Sequence, residues 1–146
     1  MTPQDVRTLV RRSLVDGRDR TWTDVALEAF WNDVWDNGHV HLLSEYYARH
    51  YVRHAPAQPT INDLPSLKDH VLNTRELERD FRLNIEDRFF TKDRGALRWT
   101  WSATHKLTGR RWTMTGIALC RYDADGRVAE EWIQMDAAIL RVHWRV

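Results

Sequence analysis

The sequence lacks several features that would assign a protein to a class at once. Its 146 residues include one cysteine, Cys120, so no internal disulfide and no thiolate metal cluster can form. No apolar run approaches the ~20 residues that a membrane-spanning helix needs, so we expect no membrane association. The opening residues, MTPQDVRTLVRR, contain no apolar signal region. We therefore expect a cytoplasmic protein rather than an exported one.

An excess of charge of either sign is also missing. The chain has 22 Lys and Arg residues against 21 Asp and Glu residues, which gives a formal net charge of +1. This balance excludes a nucleic-acid binder that works by neutralising phosphates. The GxGxxG and Walker phosphate loops and the GxSxG nucleophile motif are absent as well. The sequence therefore indicates no nucleotide cofactor and no serine nucleophile.

Tryptophan, in contrast, is abundant, with eight copies in the chain. Its large apolar ring and single N–H donor suit cores, interfaces and ligand cavities. The mass of 17.4 kDa predicts one domain over residues 1–146, with room for one core and one pocket. Within this domain, residues 1–20 are expected to form an N-terminal helical extension.

The first half of the chain has helical periodicity. Apolar residues recur at helical spacing from Leu27 to Val34, and Asn37-Gly38 predicts a left-handed turn at the end of that helix. The capping pattern Ser66-Leu67-Lys68-Asp69 predicts the start of a later helix. The predicted elements are a short helix over 41–47, a strand over 49–54, a loop over 55–65 and a helix over 66–79.

The second half alternates in the manner of β-strands. Thr108-Gly109 and Asp125-Gly126 are hairpin turn signals. Four strands joined by short turns predict an antiparallel meander, and helices followed by a sheet predict an α+β domain with helices on one sheet face. The predicted strands are 81–90, 96–107, 110–122 and 127–140.

The last predicted strand carries the most informative pattern. Alternation places Trp132, Gln134 and Asp136 on one face, and Ile133 and Met135 on the other. If the first face lines a closed cavity, Asp136 would be desolvated and could act as a general acid or base near neutral pH. The alternative is that Asp136 lies on a solvated face or caps a turn.

A sheet that is apolar on both faces must be covered on both. Ile133 and Met135 make the second face apolar, so we expect a homodimer through the sheet. The alternative is that residues 139–146 cover it.

The histidines allow more than one reading. His50 and His54 have a spacing that can ligate zinc, but no HExxH motif accompanies them, so no metal site is predicted. His105 follows Trp99 and Trp101 on one strand face. It is either a hydrogen-bonded core residue or a group that orients a ligand oxygen.

Several short stretches occur in an order that matches a known family. They are FWN at 30–32, WDNG at 35–38, YVRHAP at 51–56, ATH at 103–105, TGR at 108–110, RYD at 121–123 and DGRVAEEW at 125–132, with Asp136 beyond them. Over about residues 27–140 the chain resembles the SnoaL-like polyketide cyclases and related ester cyclases of the nuclear transport factor 2-like superfamily.

This resemblance implies a cone-shaped α+β fold, in which a bent antiparallel sheet wraps around helices and leaves a pocket at its open end. It also implies a homodimer and an intramolecular aldol ring closure without metal or organic cofactor. Asp136 matches the general acid/base of the cyclases, and His54 and His105 match histidine positions of the family, so these three are the predicted catalytic residues. The predicted substrate-binding residues are Trp132, Gln134, Trp99, Trp101, Tyr51, Trp35 and Met114.

The sequence also departs from the family. The loop after His105 is shorter than the family's, and residues 140–144 replace its usual ending, so the substrate need not be a tetracyclic polyketide. A small apolar or polyketide-like carbonyl compound is expected. The same fold would also allow an isomerase, a dehydratase, an epoxide hydrolase, a pericyclic cyclase or a non-catalytic small-molecule-binding or dimerisation domain.

Overall fold

The computed structural model describes residues 30–56, 58–91 and 93–136, apart from the side chains of Trp31 and Asn32. The predicted extension over 1–20, most of the first predicted helix and the part of the last predicted strand beyond 136 lie outside these ranges. No helix among the described residues is long and apolar enough to cross a membrane.

The described helical segments are short, apart from one. They comprise a π-helix Trp31–Asp36, a 3-10 helix Val40–Leu42, helix α1 (Leu43–Tyr46) and helix α2 (Leu64–Leu77). The π-helix ends at the predicted turn, where Gly38 adopts a φ of 71°. Nη1 of Arg75 in α2 donates hydrogen bonds to the carbonyl oxygens of Trp35 and Asp36. Arg75 thus satisfies carbonyl groups that the end of a helix leaves without partners.

Helix α2 begins earlier than its sequence predicts. Asp63 is the N-cap, and its carboxylate accepts a 2.7 Å hydrogen bond from the backbone N–H of Ser66. Pro65 fits the first turn because its missing N–H would have had no partner in the helix. The predicted cap at Ser66 is therefore wrong by one turn. One face of α2 is buried, and its residues are Leu67, Val71 and Thr74.

Among the described residues, five strands form one sheet. They are β1 (Tyr47–His54), β2 (Glu78–Phe90), β3 (Arg94–His105), β4 (Arg111–Tyr122) and β5 (Val128–Met135), in the spatial order β1-β5-β4-β3-β2. The pairs from β2 to β5 are antiparallel, as the hairpin signals predict. β1, however, runs parallel to β5, with Arg53 beside Glu131. The expectation of a wholly antiparallel sheet is therefore corrected to a mixed sheet.

The core lies between the helices and one face of the sheet, called here the helix-facing side. Trp99 and Trp101 of β3 lie beside Gly116 and Met114 of β4 on this side. Gly116 leaves room for the Trp99 ring, since a Cβ there would overlap that ring and stand 2.7 Å from the carbonyl oxygen of Gln134. Because Gly116 has no side chain, the large Trp99 ring of β3 can lie across β4 at this point.

The two faces of β5 are the reverse of those predicted. Ile133 and Met135 lie beside Ala118 and Gly116 and pack against the core, whereas Trp132 is 38% exposed. The prediction that the Trp132 face lines the interior is therefore wrong. The opposite, outer face carries three residues in neighbouring positions, which are Trp132, Leu119 and Ile117.

Candidate functional site

An aromatic cluster occupies the helix-facing side of β2, β3 and β4. Trp101 is its centre, with ring centroids 5.5 Å from Trp35, 5.9 Å from Phe81 and 5.1 Å from Trp112. The contacts to Trp35 and Trp112 are edge-on, an arrangement that aromatic quadrupoles favour. The cluster makes this side of the sheet strongly apolar.

Most of the predicted substrate-binding residues lie on this side. The exposed fraction is 9% or less for each of five of them, which are Trp35, Trp99, Trp101, Tyr51 and Met114. All five belong to one hydrophobic core. The other two, Trp132 and Gln134, lie on the outer face, because β5 pairs Trp132 with Leu119 and Gln134 with Ile117.

The predicted catalytic residues are not brought together. Asp136 is exposed and directly follows the last residue of β5. Met135, the residue before Asp136, pairs with Gly116 of β4, which in turn pairs with Trp99 of β3. His105 lies six residues beyond Trp99 in β3. At ~3.4 Å per residue, this places His105 about 20 Å along the strand from Trp99.

His54 lies on the outer face. Its Nε2 is 2.8 Å from Oε2 of Glu130, and its ring stacks on Trp132 at a centroid distance of 5.5 Å. The hydrogen bond to His54 is the main cause that lowers the pKa of the Glu130 carboxyl. Within the described ranges, no three His, Cys, Asp or Glu side chains converge as a metal site.

The structure reveals a buried polar cluster that the sequence patterns missed, called here the Arg53 cluster and formed by Tyr51, Arg53 and Glu131. Their exposed fractions are 0%, 8% and 9%. The Tyr51 hydroxyl donates a hydrogen bond to Oε1 of Glu131. Nε of Arg53 stands 3.7 Å from the same oxygen. The cluster forms because β1 runs beside β5 in parallel register.

Burial controls protonation within this cluster. Desolvation raises the pKa of the Glu131 carboxyl, while Arg53 and the Tyr51 hydrogen bond oppose that rise. Burial and the neighbouring Glu131 also raise the pKa values of Tyr51 and Cys120. The phenol and the thiol therefore stay protonated at neutral pH.

The Arg53 cluster extends to α2 and to the loop after β1. Nη1 of Arg53 donates a 2.8 Å hydrogen bond to Oε1 of Gln58. Burial lowers the pKa of His70 in α2 to about 4, and the charge of Arg53 adds to that shift. The His70 ring lies edge-on to Trp35 at 6.1 Å, so the polar cluster and the aromatic cluster are neighbours.

A second buried carboxyl serves the aromatic cluster. Glu78, the first residue of β2, is 1% exposed, and its Oε2 accepts a 2.9 Å hydrogen bond from Nε1 of Trp112. A buried indole N–H needs such an acceptor. Glu78 therefore fixes the orientation of one wall of the cluster.

The comparison with family models identifies the chain. Residues 25–141 match the model for the SnoaL-like polyketide cyclases. The chain belongs to the SnoaL-like polyketide cyclase family. In this SnoaL-like domain, the match includes all of the described strands and ends beyond Asp136. The resemblance inferred from short motifs is thus confirmed. Among curated proteins, none matches the chain closely enough for a comparison.

Solved structures support the same fold for this SnoaL-like domain. A candidate polyketide cyclase from Acidithiobacillus ferrooxidans is 25% identical, with a TM-score of 0.68 over 82% of this chain and 92% of that one. TsrD from Streptomyces laurentii is 20% identical, with a TM-score of 0.68 over 86% and 96%. A protein of ketosteroid isomerase-like fold from Catenulispora acidiphila, in complex with trimethylamine, is 12% identical, with a TM-score of 0.61 over 70% and 79%. The last two structures show that this chain shares their fold.

Proposed function

We propose that this SnoaL-like domain is a cytoplasmic, cofactor-independent cyclase that closes a ring in a small apolar or polyketide-like carbonyl compound. The family match over residues 25–141 is the observation that carries the proposal. The aromatic side chains on the helix-facing side of the sheet support an apolar substrate.

Asp136 is the proposed general base. Its carboxylate would remove a proton from the carbon next to a carbonyl group, and the resulting enolate would attack a second carbonyl carbon in the same molecule. One carbon–carbon bond forms, the attacked carbonyl becomes an alkoxide, and the proton held by Asp136 returns to that oxygen. The proposal assigns the base role to Asp136 because this residue matches the general acid/base position of the cyclases.

The test measures exchange of the α-hydrogens of apolar methyl ketones and β-keto esters for deuterium in D₂O, by proton NMR. We expect Asp136→Asn to slow the catalysed exchange about 10²–10⁴-fold, which is the usual contribution of one general base. Asp125→Asn changes a carboxylate that is 75% exposed in the β4–β5 turn, and should leave the rate unchanged. Equal rates for Asp136→Asn and the wild type would reject Asp136 as the base.

A non-catalytic small-molecule-binding domain is the second candidate. Two observations favour it, the exposure of Asp136 and the packing of Trp35, Trp101 and Trp112 against one another. Such a domain would bind apolar carbonyl compounds without any catalysed exchange in the wild type. The same NMR experiment therefore separates the two candidates.

We also infer that two copies of the chain pair through the outer face of the sheet. Ile117 and Leu119 are 51% and 52% exposed there, and Trp132 lies beside Leu119. Side chains this large and apolar favour burial against a partner surface. The homodimer expected from the sequence is thus proposed for the face of Trp132 instead of that of Ile133.

A further inference from the structure

Arg53 is a buried cation whose hydrogen bonding the protein leaves incomplete. A guanidinium carries five N–H donors in a planar fork. Nη1 donates to Gln58, while the 3.7 Å between Nε and Oε1 of Glu131 exceeds the length of a hydrogen bond. Among residues 30–56, 58–91 and 93–136, the other donors of Arg53 meet no acceptor. The guanidinium thus has donors left for an oxygen atom from outside the chain.

The groups that face the Arg53 cluster are held neutral. They come from three elements, and burial is the main cause in each case. His70 in α2 has its pKa lowered to about 4, so it is uncharged at pH 7. The groups whose pKa values are raised are Tyr47 and Tyr51 of β1 and Cys120 and Tyr122 of β4.

Glu131 is therefore the one group of the cluster that can balance the charge of Arg53, and burial works against its ionised form. Its Oε1 already accepts the Tyr51 hydroxyl. An arginine stays charged at every relevant pH, whereas a buried carboxyl can take up a proton. This asymmetry lets a second carboxylate replace Glu131 as the anion beside the guanidinium.

Buried aromatic side chains lie near this charge. The charge of Arg53 adds to the lowering of the His70 pKa, and the His70 ring packs edge-on against Trp35, which in turn packs on Trp101. An apolar body beside a planar cation matches a ligand that carries a carboxylate on a ring system.

We propose that Arg53 binds the carboxylate of an apolar ligand, and that Glu131 takes up one proton from solvent as that carboxylate arrives. Gln58 and Tyr51 are positioning residues, since they hold the guanidinium and the Glu131 carboxyl in place. The inference rests on the proposed function, because it adds an acidic group to the small apolar substrate class.

Isothermal titration calorimetry at pH 7 tests the binding role of Arg53 with two probes of equal shape, 1-naphthoate and the neutral 1-naphthamide. We expect the wild type to bind naphthoate at least tenfold more tightly than the amide, and Arg53→Met to abolish that preference. Arg82→Met, which changes a side chain that is 72% exposed, should keep it. The double variant Arg53→Met/Glu131→Gln removes both buried charges. It replaces Arg53→Met in the titration if that single variant does not fold.

The role of Glu131 is tested by Glu131→Gln, which mimics the protonated carboxyl. This variant should bind naphthoate several-fold more tightly than the wild type, and the uptake of one proton should disappear. Proton uptake is measured by repeating the titration in buffers of different ionisation enthalpy. A purely structural ion pair predicts no such tightening.

Three results would overturn the inference: no naphthoate binding by the wild type, equal affinity for both probes, or binding by Glu131→Gln that is no tighter than that of the wild type. None of these measurements requires turnover. A failure of Asp136→Asn to slow α-hydrogen exchange would therefore count against the cyclase proposal. It would not change the interpretation of the binding measurements.

Discussion

At the scale of single residues, burial shifts several ionisable groups of the described ranges towards their neutral forms. Burial is the main cause of the raised pKa values of Tyr51, Cys120 and Glu131 and of the lowered pKa of His70. Each neutral form avoids the cost of a desolvated charge. The cluster keeps Arg53 as its permanent charge, and protonation there is linked to stability.

The link between protonation and the free energy of unfolding can be measured at His70. Its pKa is 6.5 in the unfolded chain and about 4 in the folded one, so between these values the unfolded chain holds more protons. The free energy of unfolding therefore falls as the pH falls from 6.5 to 4, by up to about 3 kcal/mol from this residue. His70→Gln cannot take up a proton and should lose less stability over that range.

Urea unfolding at pH 7 and pH 4.5 measures the difference. His50→Gln, at an exposed position in β1, is the matched control and should behave as the wild type does. If His70→Gln lost as much stability as the wild type between the two pH values, the proposed burial of a neutral imidazole would be excluded.

At the scale of elements, α2 shows how one polar side chain sets a boundary. Asp63 accepts a hydrogen bond from the N–H of Ser66, one of the groups that a helix start leaves without partners. That hydrogen bond is the main cause of the lowered pKa of Asp63. Its stabilising effect is therefore present above the unfolded pKa of 3.8 and lost as the pH falls through the folded value.

Replacement of Asp63 by Ala should lower Tm by several degrees at pH 7, because the first turn of α2 loses its cap. Asp63→Ser keeps a capping oxygen and should retain most of the stability. Asp69→Ala removes an exposed carboxylate further along α2 and is the control. Thermal unfolding followed by circular dichroism measures all three. A Tm equal to that of the wild type for Asp63→Ala would argue against the cap.

The bounds and pairings of the strands show how much of the sheet local sequence patterns can predict. Alternation and turn signals place three strands at 81–90, 96–107 and 110–122, within three residues of the bounds of β2, β3 and β4. The same patterns could not predict that β1 pairs with β5, since that pairing is neither local nor joined by a turn. Nor could they choose between the faces of β5, because both carry large apolar side chains.

The candidate site was accessible from the sequence only in part. Five of the seven predicted substrate-binding residues lie in the core, since large aromatic and apolar side chains favour burial. The Arg53 cluster was missed because Tyr51 and Glu131 are 80 residues apart and meet only through the parallel pairing. The role of Asp136 stays a prediction based on family resemblance.

At the scale of the whole molecule, the outer face of the sheet offers a surface for a second copy. One row across the sheet joins Phe89, Ala96, Leu119 and Trp132 to His54. Phe89 is 63% exposed and Leu119 52% exposed. Phe89, Leu119 and Trp132 thus place large apolar side chains in one line on three strands, which is typical of a protein–protein contact.

Leu119→Arg should convert the proposed dimer into a monomer, because it places an unpaired charge in an apolar contact. Sedimentation equilibrium measures the mass in solution. Leu107→Arg changes a side chain that is 87% exposed in the β3–β4 turn, outside this row, and should leave the dimer intact. A wild-type protein that sediments as a monomer would reject the interface.

The parallel pairing of β1 with β5 also bears on how the chain is made. Of the described strands, a ribosome releases β1 first and β5 last, so β1 has no partner in the sheet until β5 has emerged. Until then β4 has an unpaired edge on the side that β5 will cover, and open strand edges invite association with other chains. Pairing over so long a separation also slows folding. The newly synthesised sheet is thus most exposed to aggregation just before β5 appears, and that strand protects β4 while completing the Arg53 cluster.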